Sequence, residues 1–250
     1  MEWRDQGLII GVKKYGETSV ILEAMTLAHG RHFGLVRGGR SRRMQPMLQP
    51  GNQVALTWRA RLEDHLGLYL VELVEPRAAR LMASAAALSG FNLVAALLRL
   101  LAERDPHPQL YEAASLIVDR LDDASLTPAL LVRLELALLA ELGFGLDLAR
   151  CAATGATEDL IYVSPKTGRA VSREAGAPYR EKLLRLPDFL RSDIIEPPGA
   201  SDLADGFALT AYFLERDVFG PRGLDLPGPR RAYLAAVVKA QIPKAGPVLG

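Results

Sequence analysis

The segment GLIIGVKKYGETSVILEAMTLAHGRHFGLVRGGRS, residues 7–41, decides the fold of the N-terminal part of the chain. It contains three short runs rich in β-branched and aromatic residues, separated by turns with glycine, which is typical of β-strands. Two similar segments follow, NQVALTWRARL from residue 52 and LGLYLVELVEP from residue 66. Five strands are too few to bury both faces of an open sheet. We therefore expect a small closed or partly closed barrel.

After Pro76 the apolar residues recur at helical spacing, as in QLYEAASLIVDRL, residues 109–121. In TPALLVRLELALLAELGFG, Thr127 is expected at the N-cap, Pro128 at the first helical position and Gly143 just beyond the end. A further helix is expected from a Ser201 cap, and a last helix after Pro229. The helical period is lost between residues 149 and 179. We therefore expect a barrel domain over residues 1–77 and a mainly helical domain over residues 78–250, interrupted by an insertion at 149–179.

Composition indicates a globular chain, with 49% hydrophobic and 24% charged residues among 250. The single cysteine permits no internal disulfide, which fits a reducing cytosol. The first residues do not resemble a signal peptide, and the uncharged stretch 81–98 contains polar residues typical of a buried helix rather than a membrane span. We expect a soluble cytoplasmic protein without a membrane partner.

Positive charge is concentrated in the barrel segment. No Asp or Glu lies between Glu23 and Glu63, whereas seven arginines do. The first 80 residues carry 12 Lys and Arg against 8 Asp and Glu, and the remaining 170 carry 18 against 21. Neighbouring arginines repel unless an anion is near, and arginines that neutralise phosphates release counterions. The candidate nucleic-acid-binding residues are Arg37, Arg40, Arg42 and Arg43, supported by Arg31, Lys13, Lys14, Arg59 and Arg61.

No catalytic motif accompanies this charge. The sequence contains no nucleophile elbow, HExxH or P-loop, and the Gly38-Gly39 pair lacks the lysine of a nucleotide-binding loop. His29 and His32 lie three residues apart with no evident carboxylate or thiol partner, so we do not expect metal there. Tyr15, Phe33, Trp58 and Tyr69 are either core residues or stacking platforms for unpaired bases. We expect a protein that is not an enzyme and needs no cofactor.

The ordered set formed by residues 7–41, LQPGNQVALTW, ERDPHPQLYEAASLIVDRL, LELALLAELGFGLDLARCAATG and VSPKTGRAVS resembles the bacterial RecO family of DNA repair and recombination mediators over nearly the whole chain. The resemblance implies a multidomain α+β protein with an N-terminal five-stranded OB-fold barrel, a helical domain and a small zinc-finger-like insertion. It also implies binding to single- and double-stranded DNA, annealing of complementary strands and, with RecR, loading of RecA onto strands coated by single-stranded DNA-binding protein (SSB). RecF is a further candidate partner, and the site of action would be the nucleoid.

The insertion departs from the zinc-binding pattern that the resemblance implies. The four ligand positions fall on Cys151, Thr154, Ser172 and Ala175, of which only the first can supply a thiolate, and no histidine follows His107. We therefore expect no zinc. Residues 160–163 should pair with Ala170 and Val171 across an SPKTG turn, Thr154 and Ser172 should add hydrogen bonds, and Cys151 should be a small buried apolar residue.

The family's partners also imply a docking site in the helical region. The SSB tail is acidic and ends in a hydrophobic residue with a free carboxylate, so it needs apolar walls and a cation. The candidate cations are Arg133, Arg216, Arg222, Arg230 and Arg231. Two other interpretations stay open: a cytosolic enzyme with a basic cleft, which turnover would reveal, and an RNA- or ribosome-associated OB-fold module, which a preference for RNA would reveal.

Overall fold

The structure, a computed structural model, describes residues 1–191 and 197–241. The chain divides into two compact units. One contains Met1–Asp122 together with the described residues from Pro229 onward, and the other contains Asp123–Gly228. The predicted domain boundaries at residues 77, 149 and 179 remain predictions.

The five predicted strands are present and form the expected N-terminal barrel. Each strand pairs with two others, in the order β1-β2-β3-β5-β4 with β4 paired back to β1. The only parallel pairing among these is the short contact of Leu35 with Leu68 between β3 and β5. The strands are β1 (Glu2–Tyr15), β2 (Ser19–Thr26), β3 (Gly30–Val36), β4 (Gln53–Arg59) and β5 (Leu68–Glu75).

Side chains that point into the barrel alternate with side chains that point outward along each strand, and the inward ones form the barrel core. In β4, Val54, Leu56 and Trp58 point inward and are at most 1% exposed, as the two-residue period of a strand requires. Gly34 on β3 faces the Tyr69 ring so closely that a Cβ there would lie 2.3 Å from a ring carbon. The aromatic core therefore requires glycine at this position.

The helical prediction is also confirmed, with small shifts at the helix starts. Thr127 is the first helical residue rather than the N-cap, which is Leu126, and the helix expected to begin at a Ser201 cap begins at Ala200 with Gly199 as N-cap. Such shifts of one or two residues are common where no side chain caps the helix. The helices are α1 (Ala78–Met82), α2 (Ala85–Leu98), α3 (Pro108–Asp119), α4 (Thr127–Glu141), α5 (Arg173–Gly176), α6 (Ala200–Phe213) and α7 (Gly228–Gln241).

Polar contacts of Arg77 and Arg99 join the barrel to α1–α3 within the first unit. Arg77 is 4% exposed, and its guanidinium bonds to Gln53 on β4 and to Asp119 at the end of α3. Arg99, which follows α2, donates to the Glu23 carboxylate on β2 and to the Ile10 carbonyl on β1. Two separate groups of polar contacts therefore join the barrel to these helices.

The second unit combines α4 and α6 with a three-stranded sheet of order β7-β6-β8. The predicted hairpin is present as β6 (Leu160–Val163) and β7 (Ala170–Ser172), and β8 (Leu184–Arg185) extends it. Buried Thr210 on α6 bonds to the buried Glu135 carboxylate on α4. Within the described chain, no helix combines the length and apolar character needed to cross a bilayer.

Candidate nucleic-acid interface

The arginine-rich segment is the connection between β3 and β4, and it is held more firmly than its glycines suggest. Gly38 has a positive φ of 67°, and a Cβ on Gly39 would lie 2.6 Å from a Val20 methyl carbon, so this turn needs both glycines. A helical turn follows, in which Leu48 N–H donates to the Met44 carbonyl and the buried Leu48 side chain anchors the loop. The Asn52 side chain also donates to the Pro46 and Met47 carbonyls.

This anchored loop presents four exposed arginines: Arg37, Arg40, Arg42 and Arg43. The Arg40 guanidinium donates to the carbonyls of Gly16 and Glu17 at 3.2 and 2.6 Å. The backbone N–H of Arg40 donates to the Thr18 carbonyl. The loop is therefore attached to the β1–β2 turn.

Two lysines join the arginines at this turn. Lys14 pairs with Val20 on β2, which in turn pairs with Val36 on β3, so Lys14 and the residue before Arg37 lie two strand spacings apart, about 10 Å. Lys13 precedes Lys14, and both are exposed. We call the six residues Lys13, Lys14, Arg37, Arg40, Arg42 and Arg43 the basic end of the barrel. Among the described residues, no carboxylate lies within 4 Å of their charged groups.

The other three predicted residues lie elsewhere on the barrel. Arg59 is at the far end of β4, about 20 Å along the strand from the loop, and pairs with Glu2 at 2.9 Å. Arg61 is exposed just beyond it. Arg31 is about 20 Å along β3 from Arg37, and its guanidinium bonds to Glu23 at 3.1 Å and to the Leu101 carbonyl.

The aromatic residues divide between core and surface. Trp58 and Tyr69 are buried barrel residues, 1% and 3% exposed. Phe33 lies beneath Arg31, whose guanidinium carbon is 5.4 Å from the ring centroid. Tyr15, at the end of β1 beside Lys14, is 54% exposed and can present its ring face at the basic end.

The two neighbouring histidines have partners that their sequence spacing did not reveal. His29, in the β2–β3 turn, does have a carboxylate neighbour, because its Nδ1 lies 2.9 Å from Oδ2 of Asp5 on β1. His32 is 3% exposed, and burial lowers its pKa to about 4, with Arg104 and His29 nearby and a partly opposing hydrogen bond to the Phe33 carbonyl. Within the described chain, no three His, Cys, Asp or Glu residues converge as metal ligands would.

Comparison with known proteins gives the family. Residues 1–77 match the model described as Recombination protein O N terminal, and residues 82–224 match Recombination protein O C terminal. The chain belongs to the RecO family. It is 64% identical to DNA repair protein RecO of Methylocella silvestris, covering 96% of this chain and 98% of that protein. It is 58% identical to DNA repair protein RecO of Beijerinckia indica, covering 99% of each. The resemblance recognised in the sequence is confirmed, and DNA repair is the process to which the family belongs.

In the predicted insertion, Cys151 is the one expected ligand position that carries a thiol. Cys151 is 1% exposed, as predicted, and its sulfur lies 3.5 Å from the Ser172 hydroxyl and accepts the Ser172 N–H at 3.3 Å. Burial alone would raise the pKa of the thiol, but hydrogen bonds from Ser172 and Thr154 outweigh burial and lower it to about 6. The predicted burial of Cys151 is therefore confirmed, and its sulfur also lies within hydrogen-bonding distance of Ser172.

The five arginines proposed to recognise a carboxylate differ in availability. Arg133 donates to the Phe189 carbonyl, Arg216 forms two 2.7 Å bonds with Asp217, and Arg230 is 5% exposed. Arg222 and Arg231 are exposed. The first three belong to internal contacts, so Arg222 and Arg231 remain the best-placed cations for a partner.

Proposed function

We propose that this chain binds single- and double-stranded DNA with little sequence preference through the basic end, and that it anneals complementary strands. The proposal rests on six exposed cations at one end of a barrel, none of which forms an ion pair with a carboxylate of the described residues. Such a surface attracts successive phosphates through counterion release and reads no base. The Tyr15 ring can stack an unpaired base beside them.

Annealing requires no covalent step, so the proposed activity is not enzymatic. Two strands repel through their phosphates, and pairing becomes faster once cations on one surface screen that repulsion. Membership of the RecO family supports DNA as the nucleic acid, because the curated relatives are named DNA repair proteins. It is also the reason to prefer DNA over an RNA- or ribosome-associated role.

We further propose that the chain works with RecR to load RecA onto SSB-coated single strands, with RecF as a further partner, in the cytoplasm at the nucleoid. The helical region would receive the SSB tail. Arg222 or Arg231 would bind the terminal carboxylate, since an exposed arginine can form a bidentate pair with it.

Salt dependence of binding tests the DNA-binding proposal. Arg40 is engaged with the β1–β2 turn, which leaves five free cations in the basic end. Neutralising about five phosphates of a single strand predicts a slope of roughly −3.5 for log K against log salt concentration. Changing Arg42 and Arg43 to Ala should flatten that slope by about 1.4 and weaken binding to every sequence alike. Fluorescence anisotropy of a labelled oligonucleotide measures both quantities.

A matched variant separates the local effect from the change in net charge. Arg169 and Arg173 are exposed, lie in the second unit and pair with Asp147 and Asp159. Changing both to Ala removes the same charge and should leave the slope unchanged. Equal slopes for the parent and the Arg42/Arg43 variant would remove the assignment of the basic end.

A further inference from the structure

A cavity of about 470 Å³ opens at the other end of the barrel from the basic end. Its lining comes from the start of β1, the β2–β3 turn, the end of β4 and the residues after α2, all within the first unit. The volume lies within the range of small-molecule sites. The residues that matter below are Trp3, His29, His32, Trp58, Glu63 and Arg104, and we call this cavity the aromatic pocket.

The rings of the aromatic pocket form a fixed stack. Trp3 lies on His29 with centroids 4.0 Å apart and planes at 10°, and on Trp58 at 5.6 Å and 17°. Asp5 holds His29 through Nδ1 and also accepts the Ala28 N–H at 2.8 Å. Since these contacts set the ring planes in advance, a planar ligand can enter without reordering them.

Polar groups surround the rings. His32 Nδ1 contacts the Phe33 carbonyl and the Tyr69 hydroxyl, whereas its Nε2 makes no hydrogen bond within the described part of the chain. The Glu63 side chain is exposed and forms no ion pair there. Arg104 has an unusual positive φ of 64° and holds the β4–β5 connection through the carbonyls of Glu63 and His65. A purely apolar ligand would leave His32 Nε2 and the Glu63 carboxylate without partners, whereas the edge of a heterocycle offers donors and acceptors.

Cations stand beside the opening. Arg59 directly follows Trp58 and pairs with Glu2, another lining residue, and Arg61 is exposed two residues further on. Their place at this end explains why they do not join the basic end. Arg61 can meet a phosphate next to a base that sits in the cavity, and Arg59 can meet the phosphate on the other side by exchanging its exposed Glu2 partner for it.

We propose that the aromatic pocket takes one unpaired nucleobase of a bound single strand, with Arg59 and Arg61 on the flanking phosphates. The inference rests on the proposed DNA binding and adds a site specific for single strands. A base in a duplex is paired and stacked, so it cannot enter without being extruded at a cost. The basic end then serves both DNA forms, and the aromatic pocket favours single strands.

Tryptophan emission tests this directly, because Trp3 and Trp58 are the two tryptophans of the chain and both line the pocket. An oligothymidine labelled at one end reports binding by anisotropy, while tryptophan emission reports occupancy. We expect saturable quenching by the single strand at the concentrations at which anisotropy rises. A duplex of equal length should bind with emission unchanged.

Variants of His29 locate the effect. The His29 side chain is 33% exposed, so His29→Ala removes a stacking ring with little loss of core. It should weaken single-strand binding about fivefold, the lower end for loss of a stacked base, and leave duplex affinity unchanged. His29→Phe should restore much of the affinity because it keeps a ring. The exposed Tyr179→Ala in the second unit is the control and should change neither affinity.

Three other outcomes would contradict the proposed base site. Single strands that bind by anisotropy with unchanged emission, or with equal affinity after His29→Ala, overturn the aromatic pocket while leaving the DNA-binding proposal intact. If SSB rather than the oligonucleotide changes the emission, the cavity serves a protein side chain and the inference is wrong. If neither DNA form raises the anisotropy, the proposed function fails and this inference fails with it.

Discussion

Hydrogen bonds hold the Cys151 sulfur at the position where the family resemblance implies a zinc ligand. The position is buried, yet Ser172 and Thr154 hydrogen-bond to the sulfur and hold the pKa of the thiol at about 6 against a usual 9.0. The folded state therefore binds fewer protons than the unfolded state between these two values. It follows that the thiolate's contribution to stability is complete above about pH 9 and is lost as the pH falls towards 6. One pKa unit corresponds to about 1.4 kcal/mol.

We expect the difference in the free energy of unfolding between the parent and Cys151→Ala to grow with pH across this window, as measured by urea unfolding. When Ser172→Ala, which removes a hydrogen bond to the thiolate, is the background for the same comparison, the difference should grow less. A constant difference would mean that Cys151 contributes only as an apolar residue.

Glu23 on β2 is a carboxylate that joins the barrel to the segment after α2. It is 8% exposed and bonds to Arg31 on β3 and Arg99 after α2. Glu23→Gln leaves two guanidiniums without their counter-charge, one of them only 17% exposed, so we expect a loss of about 2 kcal/mol in the free energy of unfolding. Glu72→Gln, at an exposed position of β5, should cost little, and equal losses in the two variants would argue against the network.

The sequence predicts the secondary structure elements of this protein but not the ion pairs that join them. The strands, the helices and the insertion hairpin follow from local periodicity and turn residues, and the barrel follows from the number of strands. The role of Arg31 does not, because its partners Glu23 and Leu101 lie 8 and 70 residues away in the chain. Asp5 is similarly 24 residues from His29. The acid-free segment around Arg31 predicts that it acts with the loop arginines, whereas the pairing of β2 with β3 brings it against the Glu23 carboxylate at the edge of that segment.

The net charge of the chain differs between its N-terminal part and the rest. Lys and Arg exceed Asp and Glu in the first 80 residues, where the basic end lies, and the balance reverses in the remaining 170. Because this net negative part of the chain repels an acidic protein tail, tail binding would depend on the individual exposed arginines Arg222 and Arg231, which can be changed without altering the basic end. Annealing of complementary oligonucleotides, either bare or coated with SSB, tests both surfaces in one assay.

The expected pattern is asymmetric. The Arg42/Arg43 variant should slow annealing of both bare and coated strands, because each requires phosphate neutralisation. Arg222→Ala and Arg231→Ala, tested separately because they lie in different units, should leave bare strands unaffected. At least one of them should slow annealing of coated strands, since loss of a charge-assisted bond to the tail's carboxylate lowers affinity for SSB without changing affinity for DNA. Arg216→Ala is the matched control, because its guanidinium is already bound to Asp217. Coated strands that anneal at the parent rate in both single variants would exclude these two arginines as the tail site, and slowing of bare strands would place them in the DNA surface instead.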